Sequence, residues 1–205
     1  MPFAKVETAF LLITMRVCIF AASSSRIDGS YAAATSELGI LFARNNIEVV
    51  FGGGGIGLMG VLADTVLREG GKITGIIPEF MKDEGWGHRH LTDMIVTPGM
   101  GDRKKRMFEL SDGVVALPGG IGTLEELTEA ITLKQLGLFR GPVIILNIEG
   151  FYNNFIEFLE HMIKTRFMRS EHQRIWEVVN TPDEVIQSLL KYDGWSEDFR
   201  KIAKF

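Results

Sequence analysis

The sequence predicts an α/β fold, a Rossmann-like three-layer α/β/α arrangement with a mainly parallel sheet. Short apolar runs typical of buried strands recur along the chain, and segments of helical length separate them. Loops rich in glycine or serine follow several runs, as at the carboxyl ends of parallel strands. The 205 residues, 46% hydrophobic and 23% charged, have the size and composition of one globular domain.

Each predicted element depends on an apolar run, a helical period or a capping residue. Strands are expected at 17–21, 49–51, 73–77, 94–96, 114–117, 143–146 and 176–179. Helices are expected at 31–45 after a Ser30 cap, from 58 to a stop at Gly70-Gly71, at 102–110, from the loop at 118–123 to about 136, at 151–165, and after Thr181-Pro182. Residues 79–93 are interpreted as a loop.

Residues 15–192 are expected to form a single nucleotide-binding domain. Residues 1–14 are interpreted as an N-terminal extension, because Met15-Arg16-Val17 resembles a natural start just before the first strand. Residues 193–205 have no clear period and are interpreted as a tail. The apolar stretch 10–22 is interrupted by Arg16 and is too short to span a bilayer, so no membrane partner is expected.

Charge and cysteine content narrow the possible partners and the compartment. A net charge of -4 argues against general nucleic-acid binding. Cys18 is the single cysteine, which excludes an internal disulfide and a cysteine-based metal cluster and favours a reducing, cytoplasmic location. His88 and His90 lack a partner at metal-ligand spacing, so no metal site is predicted.

Three polar or glycine-rich loops leave predicted strand ends. They span Ser23–Arg26, Gly52–Gly60 and Pro118–Thr123. Ligands of parallel α/β sheets bind beyond the carboxyl ends of the strands, so we expect the three loops to converge at one site.

The third loop opens a helix and is open to two interpretations. A strand, a glycine turn and a helix bring backbone N–H groups to the positive end of the helix, where phosphate is favoured. Thr123 and Glu126 also have the T-x-x-E spacing of a capping box, which would make both residues structural.

The second loop matches a dinucleotide-binding fingerprint. Gly52-x-Gly54-x-x-Gly57 fits it, and Glu79 lies roughly where a ribose-binding acid would be. Gly55-x-Gly57-x-x-Gly60 fits equally well, and the chain has no room for a separate substrate domain. Dinucleotide binding is therefore disfavoured, whereas the approach of a phosphate or nucleotide to these glycines is expected.

Arg103-Lys104-Lys105-Arg106 is the only dense basic cluster. It begins a predicted helix just before the central strand, within reach of the third loop. Glutamates at 125, 126 and 129 would otherwise repel a phosphate there, and an arginine resolves that conflict better than a lysine because it binds anions in a bidentate fork. A functional Arg103 or Arg106 is predicted.

Trp86, flanked by Gly85 and Gly87, is open to two interpretations, stacking on a base or covering the surface. The methionines are interpreted as packing residues: Met59, Met81, Met94, Met100 and Met107.

Three stretches together resemble the LOG (Lonely Guy) phosphoribohydrolases, which also carry a lysine decarboxylase label. They are Phe51–Gly60 (FGGGGIGLMG), Met100–Lys104 (MGDRK) and Pro118–Glu126 (PGGIGTLEE). Ile131-Thr132, Gln135-Leu136-Gly137 and Pro142-Val143 continue the resemblance, which extends from about 17 to 190.

The resemblance implies hydrolysis of a nucleoside 5'-monophosphate, AMP or a cytokinin-type N6-substituted adenine nucleotide, to free base and ribose 5-phosphate. It makes Arg103 and Glu126 the catalytic pair. It assigns substrate binding to Ser23, Gly53, Gly54, Gly55, Gly57, Met100, Lys104, Gly119, Gly120, Gly122 and Thr123. It implies a homodimer and no cofactor; decarboxylation would require pyridoxal phosphate on a lysine, and the sequence singles out no such lysine.

The chain departs from the family pattern at four places. Gly101 replaces a common histidine, Leu133 a tryptophan and Phe139 a histidine, and Ala21-Ala22-Ser23-Ser24 stands where the family usually has Cys-Gly-Ser-Ser. These positions are expected at the rim of the pocket, where they would affect base specificity. An alternative function is a non-catalytic carrier of a phosphorylated nucleotide-like cofactor, similar to molybdenum-cofactor carriers, which would not need the Arg103 and Glu126 pair.

Overall fold

A computed structural model of the chain describes residues 14–195. Seven strands form one sheet in the order β4-β3-β2-β1-β5-β6-β7, and every neighbouring pair is parallel. The strands are β1 (Arg16–Phe20), β2 (Glu48–Phe51), β3 (Ile73–Pro78), β4 (Asp93–Thr97), β5 (Gly113–Ala116), β6 (Val143–Leu146) and β7 (Glu177–Val179). The winding direction reverses between β1 and β5, and the crevice at this switch point is where such sheets bind ligands.

Helices cover both faces of the sheet, as the sequence predicts. They are α1 (Gly29–Arg44), α2 (Gly57–Arg68), α3 (Glu79–Asp83), α4 (Met100–Glu109), α5 (Ile121–Gln135), α6 (Asn153–Lys164) and α7 (Pro182–Lys191), with 3₁₀ turns at Ile148–Gly150 and Ser170–Arg174. Successive residues of β1 point to opposite faces. Ile19 packs in a core shared with α1, α2 and α7, and Phe20 packs in a second core shared with α4, α5 and α6.

Most predicted elements are confirmed to within a few residues. The strand at 143–146 matches β6, and Thr181 caps α7 with Pro182 in its first turn. The Ser30 cap is wrong: the Asp28 side chain caps α1 by accepting from the Ser30 amide at 3.2 Å, because a short carboxylate reaches the N–H two residues on.

Two further boundaries differ from the prediction. Residues 79–83, expected in a loop, form the short helix α3. The helix expected from 151 begins at Asn153, since a 3₁₀ turn with positive φ at Glu149 and Gly150 intervenes. The extension at 1–14 and the tail at 193–205 lie, apart from residues 14 and 193–195, outside the described residues. No helix within residues 14–195 combines the length and apolarity needed to cross a membrane.

Candidate functional site

A cavity of about 560 Å³ lies at the carboxyl ends of β1, β2, β3 and β5. This volume is within the range of small-molecule sites in proteins. The loops after β1, β2 and β5 all contribute to its lining, which confirms their predicted convergence. The predicted site residues that line it are Ser23, Gly54, Gly55, Met100, Arg103, Gly120, Gly122, Thr123 and Glu126.

A buried ion pair joins two of these side chains. Arg103 Nη1 donates to Glu126 Oε1 at 2.7 Å, and the side chains are 8% and 11% exposed. Arg103 Nε donates to the Ile76 carbonyl at 3.1 Å, so the guanidinium bridges β3 and α5. Removing two charges from water usually costs as much as their attraction returns, so stability alone does not account for this pair.

Burial shifts the titration of the Glu126 carboxyl. Loss of solvent around it raises its pKa above the usual value, and the Arg103 guanidinium opposes that shift only in part. Perturbed carboxyls with a specific charge partner in a cleft are characteristic of functional sites.

Gly52 makes room for the arginine. A Cβ atom at this position would lie 2.1 Å from Arg103 Nη2 and 3.4 Å from the Met59 sulfur. Gly52 was part of the predicted loop but not of the predicted site, because its role depends on a side chain that is 51 positions away in the chain.

Three predicted substrate-binding glycines, Gly53, Gly57 and Gly119, are absent from the cavity lining. Gly57 has a φ of 67°, and a Cβ there would lie 2.6 Å from the Ala22 carbonyl oxygen. Gly53 also has positive φ, at 76°. A Cβ at Gly119 would lie 2.1 Å from Thr123 Oγ1. These glycines allow the loops to pack closely.

The capping-box interpretation of Thr123 and Glu126 is wrong. Gly120 is the N-cap of α5, no side chain caps it, and Glu126 is instead bound to Arg103. The residues at the start of α5 line the cavity, so the positive end of the helix faces the space where an anion would bind.

The remaining basic residues of α4 lie outside the cavity lining. Lys104 forms ion pairs with Glu125 and with Glu129, the latter at 2.7 Å, and these pairs raise its pKa. Arg106 pairs with Glu109 at 3.2 Å. Of the two candidate arginines, only Arg103 reaches the cavity.

Apolar residues that the sequence analysis did not assign to the site form another part of its wall. They are Ile56, Met59, Ile77, Met81 and Ile121; Trp86, for which stacking on a base is one of the two interpretations of the sequence, lines the cavity beside them. Met59 and Met81, which the sequence predicts to be packing residues, border the cavity. An apolar side chain carries no chemical signature of binding, and its position beside a strand end was the only available signal.

Of the four departures from the family pattern, only Ala21 lines the cavity. Phe139 was expected at the rim but is buried in the core, where its ring meets Phe108 edge to face at 5.8 Å between centroids. Leu133 and Gly101 are likewise absent from the lining.

Sequence comparison shows which family this site belongs to. The family model described as "Possible lysine decarboxylase" matches residues 59–189. Probable cytokinin riboside 5'-monophosphate phosphoribohydrolase LOGL6 of Oryza sativa subsp. japonica is 36% identical over 92% of this chain and 76% of its own length. LOG1 of Arabidopsis thaliana, a cytokinin riboside 5'-monophosphate phosphoribohydrolase, is 36% identical over 92% of this chain and 86% of its own length. The chain belongs to the LOG family.

The LOG fold also occurs in proteins of distant sequence. The molybdenum cofactor binding protein from Rippkaea orientalis superposes with a TM-score of 0.66 at 20% identity, covering 88% of this chain and 99% of that one. The molybdenum cofactor carrier protein of Chlamydomonas reinhardtii superposes with a TM-score of 0.64 at 19% identity. The superposition covers 87% of this chain and 99% of the carrier protein. At this identity the likeness shows a shared fold alone.

Proposed function

We propose that this LOG-family protein hydrolyses the N-glycosidic bond of a nucleoside 5'-monophosphate, AMP or an N6-substituted adenine nucleotide, to free base and ribose 5-phosphate. The observation that carries the proposal is the buried Arg103–Glu126 pair on the wall of the cavity. The names of the relatives support the substrate class.

The phosphate binds at the start of α5 in this proposal. Gly120, Gly122 and Thr123 line the cavity there, and the unpaired N–H groups of a first helical turn favour an anion. Ser23, from the neighbouring strand end, adds a hydroxyl. The ribose then lies over the ion pair.

The ion pair is suited to the bond that breaks. The C1'–N9 electron pair leaves with the base, and positive charge develops on the ribose. Glu126 Oε1 is held by Arg103, and no donor within residues 14–195 contacts Oε2, which leaves that oxygen for the ribose and the attacking water. The carboxylate stabilises the developing charge and takes one proton from the water whose hydroxyl adds to C1'. The departing base takes up one proton from solvent, and Glu126 returns its proton to solvent, so the step is balanced and the carboxylate is restored.

Arg103 fixes the geometry of this step. Two of its nitrogens are held, Nε by Ile76 and Nη1 by Glu126, while Nη2 has no acceptor among the described residues. Nη2 is thus available for a substrate oxygen. A guanidinium held at two points positions such an oxygen better than a mobile side chain would.

The test is release of free base and ribose 5-phosphate from AMP and from an N6-alkylated AMP, measured by chromatography. Glu126→Gln keeps the shape of the side chain and removes its charge, and we expect a loss of kcat of about 10²–10³-fold. Glu109→Gln, an exposed glutamate paired with Arg106 on α4, is the matched control and should retain full activity. An unaltered rate in Glu126→Gln would refute the proposal.

The same experiment separates the enzyme from a carrier. A carrier would return intact AMP after prolonged incubation, with no base released. The Arg103–Glu126 pair favours the enzyme, because holding a ligand uncleaved does not require a desolvated carboxylate beside the ribose.

A homodimer is part of the proposal. Leu138, Phe158 and Phe167 are apolar side chains that are more than half exposed in the single chain, and burial against a second copy would remove them from water. Sedimentation equilibrium should give twice the chain mass of 22.9 kDa. A mass of one chain at micromolar concentration would contradict it.

A cytoplasmic location is also proposed. Cys18, the single cysteine, is buried in β1 as a free thiol, and such a chain has no need of an oxidising compartment. Recovery of the protein from a secreted fraction would count against this location.

A further inference from the structure

Trp86 is a large aromatic side chain left exposed at the cavity. It lies between α3 and β4, lines the cavity, and is 54% exposed. Leaving an indole in water is unfavourable, since this side chain buries more apolar surface than any other when it has a partner. A ring in this position is suited to contact a flat ligand.

The backbone that carries Trp86 is held firmly although its ring is exposed. The Trp86 amide donates to the Met81 carbonyl at 3.1 Å, and the Trp86 carbonyl accepts from the Gly55 amide at 3.1 Å. The next two residues continue the attachment: Gly87 forms an antiparallel bridge with Gly54, and the His88 amide donates to the Gly53 carbonyl at 2.8 Å. The segment is therefore attached to the glycine loop after β2 by an isolated antiparallel bridge and the hydrogen bonds on either side of it.

His88 anchors the same segment to α2. Its Nε2 is 3.0 Å from Asp64 Oδ1, and its side chain is 7% exposed. Its Nδ1 accepts from the His90 amide at 3.2 Å, which leaves the proton on Nε2, directed at the carboxylate. Trp86 is thus preorganised, and a ligand that stacks on it has little loop entropy to overcome.

The cavity wall changes character along the sheet edge. At β5 it is formed by the glycines and Thr123 at the start of α5, and at β3 by Ile77, Met81 and Trp86. Three interstrand spacings, about 14 Å, separate β5 from β3 in the strand order. The Arg103–Glu126 pair bridges the two ends. An anionic group at α5 and a ribose over the ion pair place the base at the apolar end.

We propose that Trp86 is the stacking platform for the base of the nucleotide and therefore a determinant of base recognition. This inference rests on the proposed function for the orientation of the ligand, since the phosphate site at α5 directs the base towards β3. The apolar side chains of Met81 and Ile77 extend the platform. A base with an apolar substituent should therefore bind better than a base with a charged substituent, because a charge placed against apolar groups loses its hydration.

Binding measured without turnover tests the platform. AMP is titrated into the Glu126→Gln protein while tryptophan fluorescence is recorded. The titration is repeated with two double variants, in which Glu126→Gln is combined with Trp86→Phe or with Trp86→Ala. We expect AMP to quench the fluorescence only when Trp86 is present. AMP affinity of the Trp86 variants, which lose the fluorescence signal, is measured by calorimetry. Loss of stacking in Trp86→Ala should weaken AMP binding on the order of 5- to 150-fold, whereas Trp86→Phe keeps most of the affinity.

Ribose 5-phosphate serves as the probe that lacks a base. Its affinity, measured by calorimetry, should stay within about twofold in Trp86→Ala, because its phosphate lies at α5 and its ribose over the ion pair, and neither group reaches the apolar end of the cavity. Phe80→Ala removes an exposed aromatic ring from α3 that does not line the cavity, and it should leave both affinities unchanged. Equal loss of AMP and ribose 5-phosphate binding in Trp86→Ala would overturn the platform, as would AMP binding without quenching.

The platform and the proposed function fail in different ways. If AMP binds and quenches Trp86 but is never cleaved by the wild-type protein, the hydrolase proposal fails and the platform stands. If AMP is cleaved and Trp86→Ala leaves KM unchanged, the hydrolase stands and the platform is refuted.

Discussion

Gly52→Ala is the substitution whose consequence follows most directly from the geometry. The added methyl would lie 2.1 Å from Arg103 Nη2, whereas ordinary contacts begin at 3.4 Å. Gly52 does not have positive φ, so alanine fits the backbone and the conflict is with the guanidinium alone. The guanidinium must withdraw by about 1.3 Å, which its hydrogen bonds to Ile76 and Glu126 do not permit together.

The size of the effect follows from that displacement. A catalytic group that moves by about 1 Å costs on the order of 10² in rate. Breaking the buried pair also leaves a poorly compensated charge, which destabilises a fold by about 3–5 kcal/mol if no relaxation occurs. Because Arg103 borders a cavity and can swing into it, we expect a stability loss of about 1–2 kcal/mol and a loss of kcat of about 10²-fold.

The assay is base release from AMP, with urea denaturation to follow stability. Gly29→Ala is the control, because a Cβ at this glycine meets nothing within 4 Å and its φ is not positive. The double variant Gly52→Ala/Arg103→Ala should be no less active than Arg103→Ala, since the clash acts only through the guanidinium. A further loss of tenfold or more in the double variant, or full activity in Gly52→Ala, would refute the reasoning.

Three further predictions concern titration and stability. Because burial raises the pKa of Glu126 and the reaction needs the carboxylate, the rate should fall on the acid side at a pH above the usual glutamate value of 4.5; an acid limb at or below 4.5 would contradict this. Lys134 is 2% exposed, and burial lowers its pKa to about 8, so Lys134→Met should be more stable than wild type by about 1–3 kcal/mol at pH 7 in urea denaturation. The difference in free energy of unfolding between Lys134→Met and wild type should shrink between pH 8 and 10. In that range Lys134 is neutral in the folded protein but still protonated in the unfolded chain, so the wild type gains stability as the pH rises; a constant difference would contradict the lowered pKa. Tyr152→Phe removes a buried hydrogen bond of 2.6 Å to the Leu117 carbonyl, just before the α5 loop, and should lower the free energy of unfolding by about 1–3 kcal/mol; an unchanged midpoint would show that water replaces the hydroxyl.

The order of strands and helices along the chain could be predicted from the sequence, because strands buried in a parallel sheet are continuous runs of apolar residues. β6 occurs where its Val-Ile-Ile-Leu run lies, and Thr181 and Pro182 mark the start of α7 by local capping chemistry. The helix α3 was missed because five residues are too short to show a helical period. The Asp28 cap was missed because both Asp28 and Ser30 are good caps, and only the backbone decides between them.

The sequence by itself determined the fold class, the three ligand-facing loops and the residue types of the site, because these depend on periodicity and on motifs within a few residues. Only the tertiary structure decided which partners those residues have. Glu126 is bound to Arg103 rather than to the helix start, Lys104 neutralises glutamates of α5, and Gly52 makes room for a guanidinium. These contacts join the ends of different strands, and their distances depend on the strand order β3-β2-β1-β5, which no local pattern of residues encodes.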